Sequence, residues 1–350
     1  MQQNDFGYLC SYFPVELAMA AGYHPVRLLP AGPAPAGGLL PSFLCAPVRH
    51  YLTCALNGEY RHLAGVGITH ACDAMQSLAQ VWQATVKEPP LFLLHFPTRR
   101  DAAALAHLTA AMRDLGARLP AIVDATALAG AVSRARARRR QLHHLLEHRA
   151  ALDPATVWNL LTAPWCDNEQ RPKPDRLQAP GQEHIPADGG TVRIVLSGSI
   201  LSSPRLLEIV RESGGVVVGD DLCSGERGLG PLPPAEEGDS VPGDDPWTVL
   251  ARQYLDMPPC PCRHPSLEER VQHLLRLARV RHAQGVILLR EKFCEPHRWE
   301  NHAVSAGLRG HGIPVLELET EGGTVGGERE LTRLQAFLEM VGAEHGAGAP

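Results

Sequence analysis

The sequence predicts an α/β protein of two domains, each organised around a small parallel sheet, with a helical connecting segment between them. Three observations carry that expectation. Short apolar runs bounded by Gly, Pro or polar residues alternate with helical stretches in both halves, which is the pattern of strands with helical crossovers. The length of 350 residues suggests about two domains, each able to bury its own core. An Arg- and Ala-rich run followed by a Pro-rich stretch separates the halves. The expected division is residues 1–123, a helical and Pro-rich connection over 124–188, and residues 189–350.

In the first segment, strands are predicted at Pro25 to Leu29, Gly65 to Thr69 and Leu91 to His95. Helices near Glu16 to Ala21, Asp73 to Trp82 and Asp101 to Leu115 interleave with them. The connection comprises a helical run from Asp124 to about His148 and the Pro-rich stretch Pro164 to Pro186. In the last segment, strands are predicted at Val192 to Leu196, Val216 to Val218, Gly285 to Leu289 and Ile313 to Leu318. Helices from about Pro204 to Glu212 and Leu267 to Val280 lie between them. Glu226 to Asp245, rich in Gly, Pro and acidic residues, reads as a surface loop over the carboxyl ends of the strands.

With 33 Lys plus Arg against 38 Asp plus Glu, the formal charge is −5, which gives no long-range attraction for phosphate backbones. The basic run Arg134 to Arg140 does not by itself make a nucleic-acid surface, so no nucleic-acid partner is expected. Met1 to Tyr8 lacks the basic and apolar regions of a secretory signal, and no apolar run reaches the length of a membrane helix. A cytoplasmic protein without a membrane partner is therefore expected. Its nine cysteines are spread along the chain rather than clustered as in a disulfide scaffold, so metal or redox chemistry becomes the question.

Cys72 and Cys294 sit just after predicted strands, and Cys45 at a possible helix start. These are places where loops gather ligands and helix N-termini favour thiolate over thiol. A free cysteine is most often a small buried hydrophobe, yet three thiolates from distant loops could hold one metal cluster. In Pro259-Cys-Pro-Cys-Arg263 the two cysteines are one residue apart, and no C-x-x-C occurs in the chain, so a structural zinc site is a weak reading. Ser197-Gly-Ser199 has neither the dinucleotide nor the phosphate-loop spacing, which rejects nucleotide binding as the primary activity. Glu16 stands in the first turn of a helix opened by Pro14, where a carboxylate also complements the helix dipole.

The stretch Gly7-Tyr-Leu-Cys-Ser-Tyr-Phe-Pro-Val-Glu-Leu-Ala18, with Pro25-Val26, resembles the opening of the 2-hydroxyacyl-CoA dehydratase family, to which benzoyl-CoA reductase subunits also belong. The resemblance continues through Cys45-x-x-x-Arg49, Cys72-Asp73, Gly219-Asp-Asp-Leu-Cys-Ser-Gly-Glu-Arg227, Pro259-Cys-Pro-Cys-Arg-His-Pro265 and Lys292-Phe-Cys-Glu-Pro296. It implies two Rossmann-like α/β domains and a 4Fe-4S cluster held by Cys45, Cys72 and Cys294 with one iron open. It also implies a catalytic carboxylate at Glu16 near an acyl-CoA substrate. The implied chemistry adds one electron to the thioester, so that a ketyl radical anion expels the 2-hydroxyl; a benzoyl-type substrate would instead be reduced. Cys10, Cys223 and Cys260 raise the motif cysteines to the six that a double-cubane cluster requires. Members resembling that type are low-potential reductases of small molecules, and Cys262 could replace Cys260. A non-catalytic scaffold of the same fold is the third reading. Implied partners are a homologous second subunit or a second copy of the chain as a dimer, and a separate ATP-dependent iron–sulfur activator.

Overall fold

The computed structural model describes residues 4–30, 38–165, 191–231, 245–263, 266–325 and 327–346. Its first sheet holds β1 (Asp5–Tyr8), β2 (His24–Arg27), β3 (Gly65–His70) and β4 (Leu91–His95) in the order β2-β1-β3-β4, all parallel. Helices α1 (Val15–Ala20), α2 (Ala46–Leu56), α3 (Asp73–Thr85) and α4 (Ala102–Arg118) supply its crossovers and cover. The second sheet holds β5 (Val192–Gly198), β6 (Gly215–Asp221), β7 (Gly285–Glu291), β8 (Val315–Glu321) and the short β9 (Thr324–Val325) in the order β6-β5-β7-β8-β9. Only β9 runs antiparallel, completing a hairpin with β8. The expected α/β architecture of two small parallel sheets is therefore what the chain forms.

Two strands are missing from the sequence reading, the two-residue β9 and β1, which lies between β2 and β3. Its four residues, Asp-Phe-Gly-Tyr, carry little periodicity; pairing on both sides and the complete burial of Phe6 fix it instead. Gly67 on β3 is required by the same packing, because a Cβ there would run into the ring of Phe13.

Between the sheets run α5 (Ala125–Glu147) and α6 (Pro154–Thr162). The amide of Ala127 donates to Asp124 at the start of α5, and that of Thr156 to Asp153 at the start of α6. Leu128, Val132 and Ala135 of α5 pack with the first sheet's core, while Leu142, Leu145 and Leu146 pack with the second's. One continuous helix thus spans both cores. The helix α8 (Pro246–Leu255) returns the chain to the first core, burying Trp247, Leu250 and Tyr254 beside Phe6, Phe13 and Met112. Helices α7 (Arg205–Glu212), α9 (Leu267–Val280), α10 (Glu295–Gly310) and α11 (Gly327–Gly346) belong to the second sheet's layers. None of the described helices is long and apolar enough to cross a membrane.

Two sets of buried charges join these elements. Arg139 of α5 pairs with Glu16 of α1 at 2.5 Å, and Tyr254 and Gln253 of α8 donate to the same carboxylate at 2.8 and 3.0 Å. At the end of β6, Asp221 accepts from Arg227 and Arg270 at 2.9 and 2.8 Å, while Asp220 and Glu226 share Arg149 at 2.7 and 2.5 Å. Glu226 and Arg227 are buried in a 3-10 turn, Glu226–Leu229, which corrects the expectation of a surface loop beginning at Glu226. Their ion pairs explain why such polar residues turn inward. Residues 232–244 of that loop, and the Pro-rich stretch beyond Trp165, lie outside the described residues.

Removing one partner from a buried pair leaves an unpaired charge, so Arg139→Met should destabilise the fold by about 3–5 kcal/mol. Arg205→Met, which breaks an exposed pair with Glu212, should leave stability near wild type. Chemical denaturation of the two variants checks the contrast. Although burial opposes the charge on Asp221, Arg227 and Arg270 hold its pKa well below the usual carboxylate range. Its contribution is complete above the ordinary carboxylate pKa of about 3.9 and is lost as pH falls through the depressed folded value. Stability measured against pH should fall steeply below about pH 4 in the wild type, and less steeply in Asp221→Asn, which starts from a lower neutral-pH value.

Candidate functional site

The carboxyl ends of strands from both sheets deliver cysteines to the space between them. Cys10 follows β1, Cys72 follows β3, Cys223 follows β6 and Cys294 follows β7. Cys45 precedes α2, and Cys260 and Cys262 lie in the segment after α8. All seven line one cavity, together with Leu9, Ser11, Tyr12, Arg27, Val48, Met75, Ile200, Arg227 and His297 among others. The six motif cysteines are therefore brought together, and Cys262 joins them. Glu16 is placed elsewhere: its carboxylate is fully buried behind Arg139 and Tyr254 and is not among the cavity's lining residues. Cys54 packs inside α2 with its sulfur 3.3 Å from His50. Cys166 lies outside the described residues.

Local sequence explains how three of these thiols are aimed. Where α4, α5, α6, α8 and α9 begin with an Asp or Ser whose oxygen accepts a first-turn amide, α2, α3 and α10 have Cys45, Cys72 and Cys294 at the N-cap position without an oxygen cap. The first-turn amides of Val48, of Met75 and Ala74, and of His297 instead favour the ionised form of the respective sulfur. Phe293, before Cys294, has φ = 63°, an uncommon conformation for a bulky side chain. That turn directs the chain from β7 into α10 and sets Cys294 at its head.

The thiols sort into two groups by mutual electrostatics. Cys45, Cys72 and Cys294 interact with one another, as do Cys10, Cys223 and Cys260, and the two groups also act on each other, Cys260 on Cys72 and Cys223 on Cys294. Cys262 stands between them, its thiol hydrogen-bonded with both Cys260 and Cys72. Burial pushes Cys45 up to about 12 and Cys10 up to about 11. Cys260 moves the other way, to about 6, because Cys262 donates to it and Arg227 lies nearby. Cys72 is lowered chiefly by the same donor. Arg227 also reaches Cys223 directly, Nη1 to Sγ at 3.1 Å.

This donor set fits a polynuclear iron–sulfur group. Soft thiolates are the ligands such clusters take, the space between the two groups is open, and much of the wall is apolar. Among the described residues, no three or more His, Cys, Asp or Glu side chains close on a point as one metal ion needs. A cluster spreads its ligands around a larger body. Arg227 and Arg27 are site residues that sequence reasoning left without an assigned role, and Cys262, read there as a replacement for Cys260, lines the cavity together with it. Arg227 ends the Gly219-to-Arg227 motif, and that position was the available signal.

The geometry is accompanied by similarity along nearly the whole chain. The chain is 25% identical to the (R)-phenyllactyl-CoA dehydratase beta subunit of Clostridium sporogenes, over 97% of this chain and 92% of that one. It is 24% identical to the lactoyl-CoA dehydratase subunit beta of Anaerotignum propionicum, over 96% and 91%. For the (R)-2-hydroxyglutaryl-CoA dehydratase subunit beta of Acidaminococcus fermentans the identity is 23%, over 97% and 93%. Residues 10–341 match the family described as 2-hydroxyglutaryl-CoA dehydratase, D-component, a span that takes in every described strand but β1 and all seven cavity cysteines. The chain belongs to that dehydratase family.

Proposed function

We propose that this chain is the iron–sulfur subunit of a 2-hydroxyacyl-CoA dehydratase or benzoyl-CoA reductase-type system, and that its cavity takes a bridged double-cubane cluster. The observation that supports the larger group is the meeting of two thiol triads, Cys45/Cys72/Cys294 and Cys10/Cys223/Cys260, on one cavity. A single 4Fe-4S cluster on the first triad would leave the second without a ligand role. When bound, the group supplies single electrons of low potential to a substrate beside it. The chain's own residues hold it through thiolates, favour those thiolates with three helix N-termini and Arg227, and exclude water with Leu9, Val48, Met75 and Ile200. Glu16 acts as a positioning residue, holding Arg139 and Tyr254 in the wall of a neighbouring cavity.

The relatives' names support dehydration of a 2-hydroxyacyl-CoA as the reaction, with a homologous subunit or a second copy of this chain as partner. The second triad favours a second reading, reduction of a small molecule. In either case the chain has no phosphate-binding loop of its own, so a separate ATP-hydrolysing iron–sulfur activator is the expected electron source.

Anaerobically isolated protein should contain about eight iron atoms per chain, and Ser at position 10, 45, 72, 223, 260 or 294 should remove much of that iron, because a hydroxyl is a poor replacement for thiolate. Cys54→Ser should retain it. About four iron atoms, indifferent to Cys10→Ser, Cys223→Ser and Cys260→Ser, would restore the single cubane; iron-free protein after reconstitution would remove both enzymatic readings. Dehydration of a 2-hydroxyacyl-CoA should require ATP, reductant and the activator together. Turnover with all three omitted would contradict one-electron chemistry, and reduction of small molecules without acyl-CoA activity would select the second reading.

A further inference from the structure

Formal positive charge is distributed unevenly around the thiol cavity. Arg227 sits beside Cys223, its Nη1 3.1 Å from Sγ, but Asp221 neutralises it. Arg27 and Arg263 are different, because among the described residues neither is paired with a carboxylate. The guanidinium of Arg27 lies over the Tyr8 ring at 5.3 Å, and its Nη1 donates to Ser11 Oγ at 3.4 Å. Ser11 gives its own proton to the Cys223 carbonyl at 2.6 Å, which ties Arg27 to the loop that carries Cys223. Arg263 follows Cys262 in the chain, is 7% exposed, lies over the Phe96 ring at 5.3 Å and donates to the Phe96 carbonyl. The ionisable groups that act on Arg263 are chiefly Cys10, Cys260, Cys262 and Tyr12, and Arg27 acts on Cys10 and Cys223. A buried guanidinium without a counter-ion is strongly disfavoured, and the anions within reach of these two are the thiolates.

The other triad has no such neighbours. Cys45, Cys72 and Cys294 are favoured as thiolates by first-turn amides, which carry only partial charge, and the main influences on them include no arginine. Glu291 acts on Cys45 in the opposite sense. We propose that Arg27 and Arg263 make the Cys10/Cys223/Cys260 side of the site the one that takes the first electron and holds it, leaving the Cys45/Cys72/Cys294 side as the stronger reductant. The argument is Coulombic: a fixed positive charge stabilises an added electron in inverse proportion to their separation, and a buried site screens that attraction little. Full charges without an internal counter-ion therefore outweigh the amide dipoles of the opposite side. One electron enters from a low-potential donor, the activator or dithionite, and adds one negative charge beside the arginines. A second electron is repelled by that charge and goes to the helix-capped side. The proposal rests on the bridged-cluster reading, whose own failure shows in iron content.

The test is a redox titration with dithionite of anaerobically isolated full-length protein, followed by electron paramagnetic resonance, with iron measured on each sample. Wild type should take up two electrons in separate steps. Arg27→Gln and Arg263→Gln should each move the first step to lower potential at least about twice as far as the second, because the interaction weakens with distance. Arg27→Lys, which keeps the charge, should leave both steps close to wild type. Arg205→Gln, which removes an exposed charge, should move neither. A first step unmoved in both Gln variants, or two steps moved equally, would overturn the proposal, as would a single two-electron step in wild type. An Arg27→Lys protein shifted as far as Arg27→Gln would overturn it too, since shape rather than charge would then set the potential. If Arg27→Gln does not fold or load iron, Arg263→Gln decides alone, and an unmoved first step there overturns the assignment. About four iron atoms in wild type, or none, would remove the bridged cluster and this proposal with it, an outcome read from the iron assay before any potential is compared.

Discussion

Seven thiols facing one another between two sheets set the terms for the rest of the fold. Burial favours the neutral thiol, and the high values at Cys45 and Cys10 record that cost. The structure opposes it with what a protein has available: helix N-termini at Cys45, Cys72 and Cys294, arginines at Cys10, Cys223 and Cys260, and a shared donor at Cys262. Each device requires a secondary-structure element to end at the cavity. That is why strands from both sheets point their carboxyl ends toward it, and why α8 carries Cys260 back across the first core.

The buried charges follow from the same constraint. Arg227 can lie beside Cys223 only because Asp221 neutralises it, and Asp221 is held in turn by Arg270, which Glu300 also engages. A chain of alternating charge thus runs from the cavity wall to α10. Isolated, any of these groups would be strongly disfavoured in the interior. Together they fix the turn that carries Cys223, and a ligand shell of fixed geometry is what a cluster site needs.

Much of this was legible in the sequence where the signal was local. The apolar runs that became β3, β4, β5 and β7 are long enough to declare themselves, and the cysteines after β3 and β7 could be placed at strand ends before any coordinates. The short β1 was hidden because its four residues owe their conformation to neighbours on both sides. The burial of Glu226 and Arg227 was equally hidden, since composition marks such residues as solvated and only partners distant in sequence, Arg149 and Asp221, turn them inward. The partition of the thiols into two groups, and the place of Cys262 between them, depend on how the two halves meet. No spacing within either half encodes that.

The central claim is that both thiol triads hold one iron–sulfur group. Diffraction from anaerobically grown crystals at the iron absorption edge tests it most directly. The account predicts anomalous iron peaks filling the cavity between Cys45, Cys72 and Cys294 on one side and Cys10, Cys223 and Cys260 on the other, with sulfur of both groups bonded to iron. Iron confined to the first three cysteines, or absent from the cavity altogether, would contradict it.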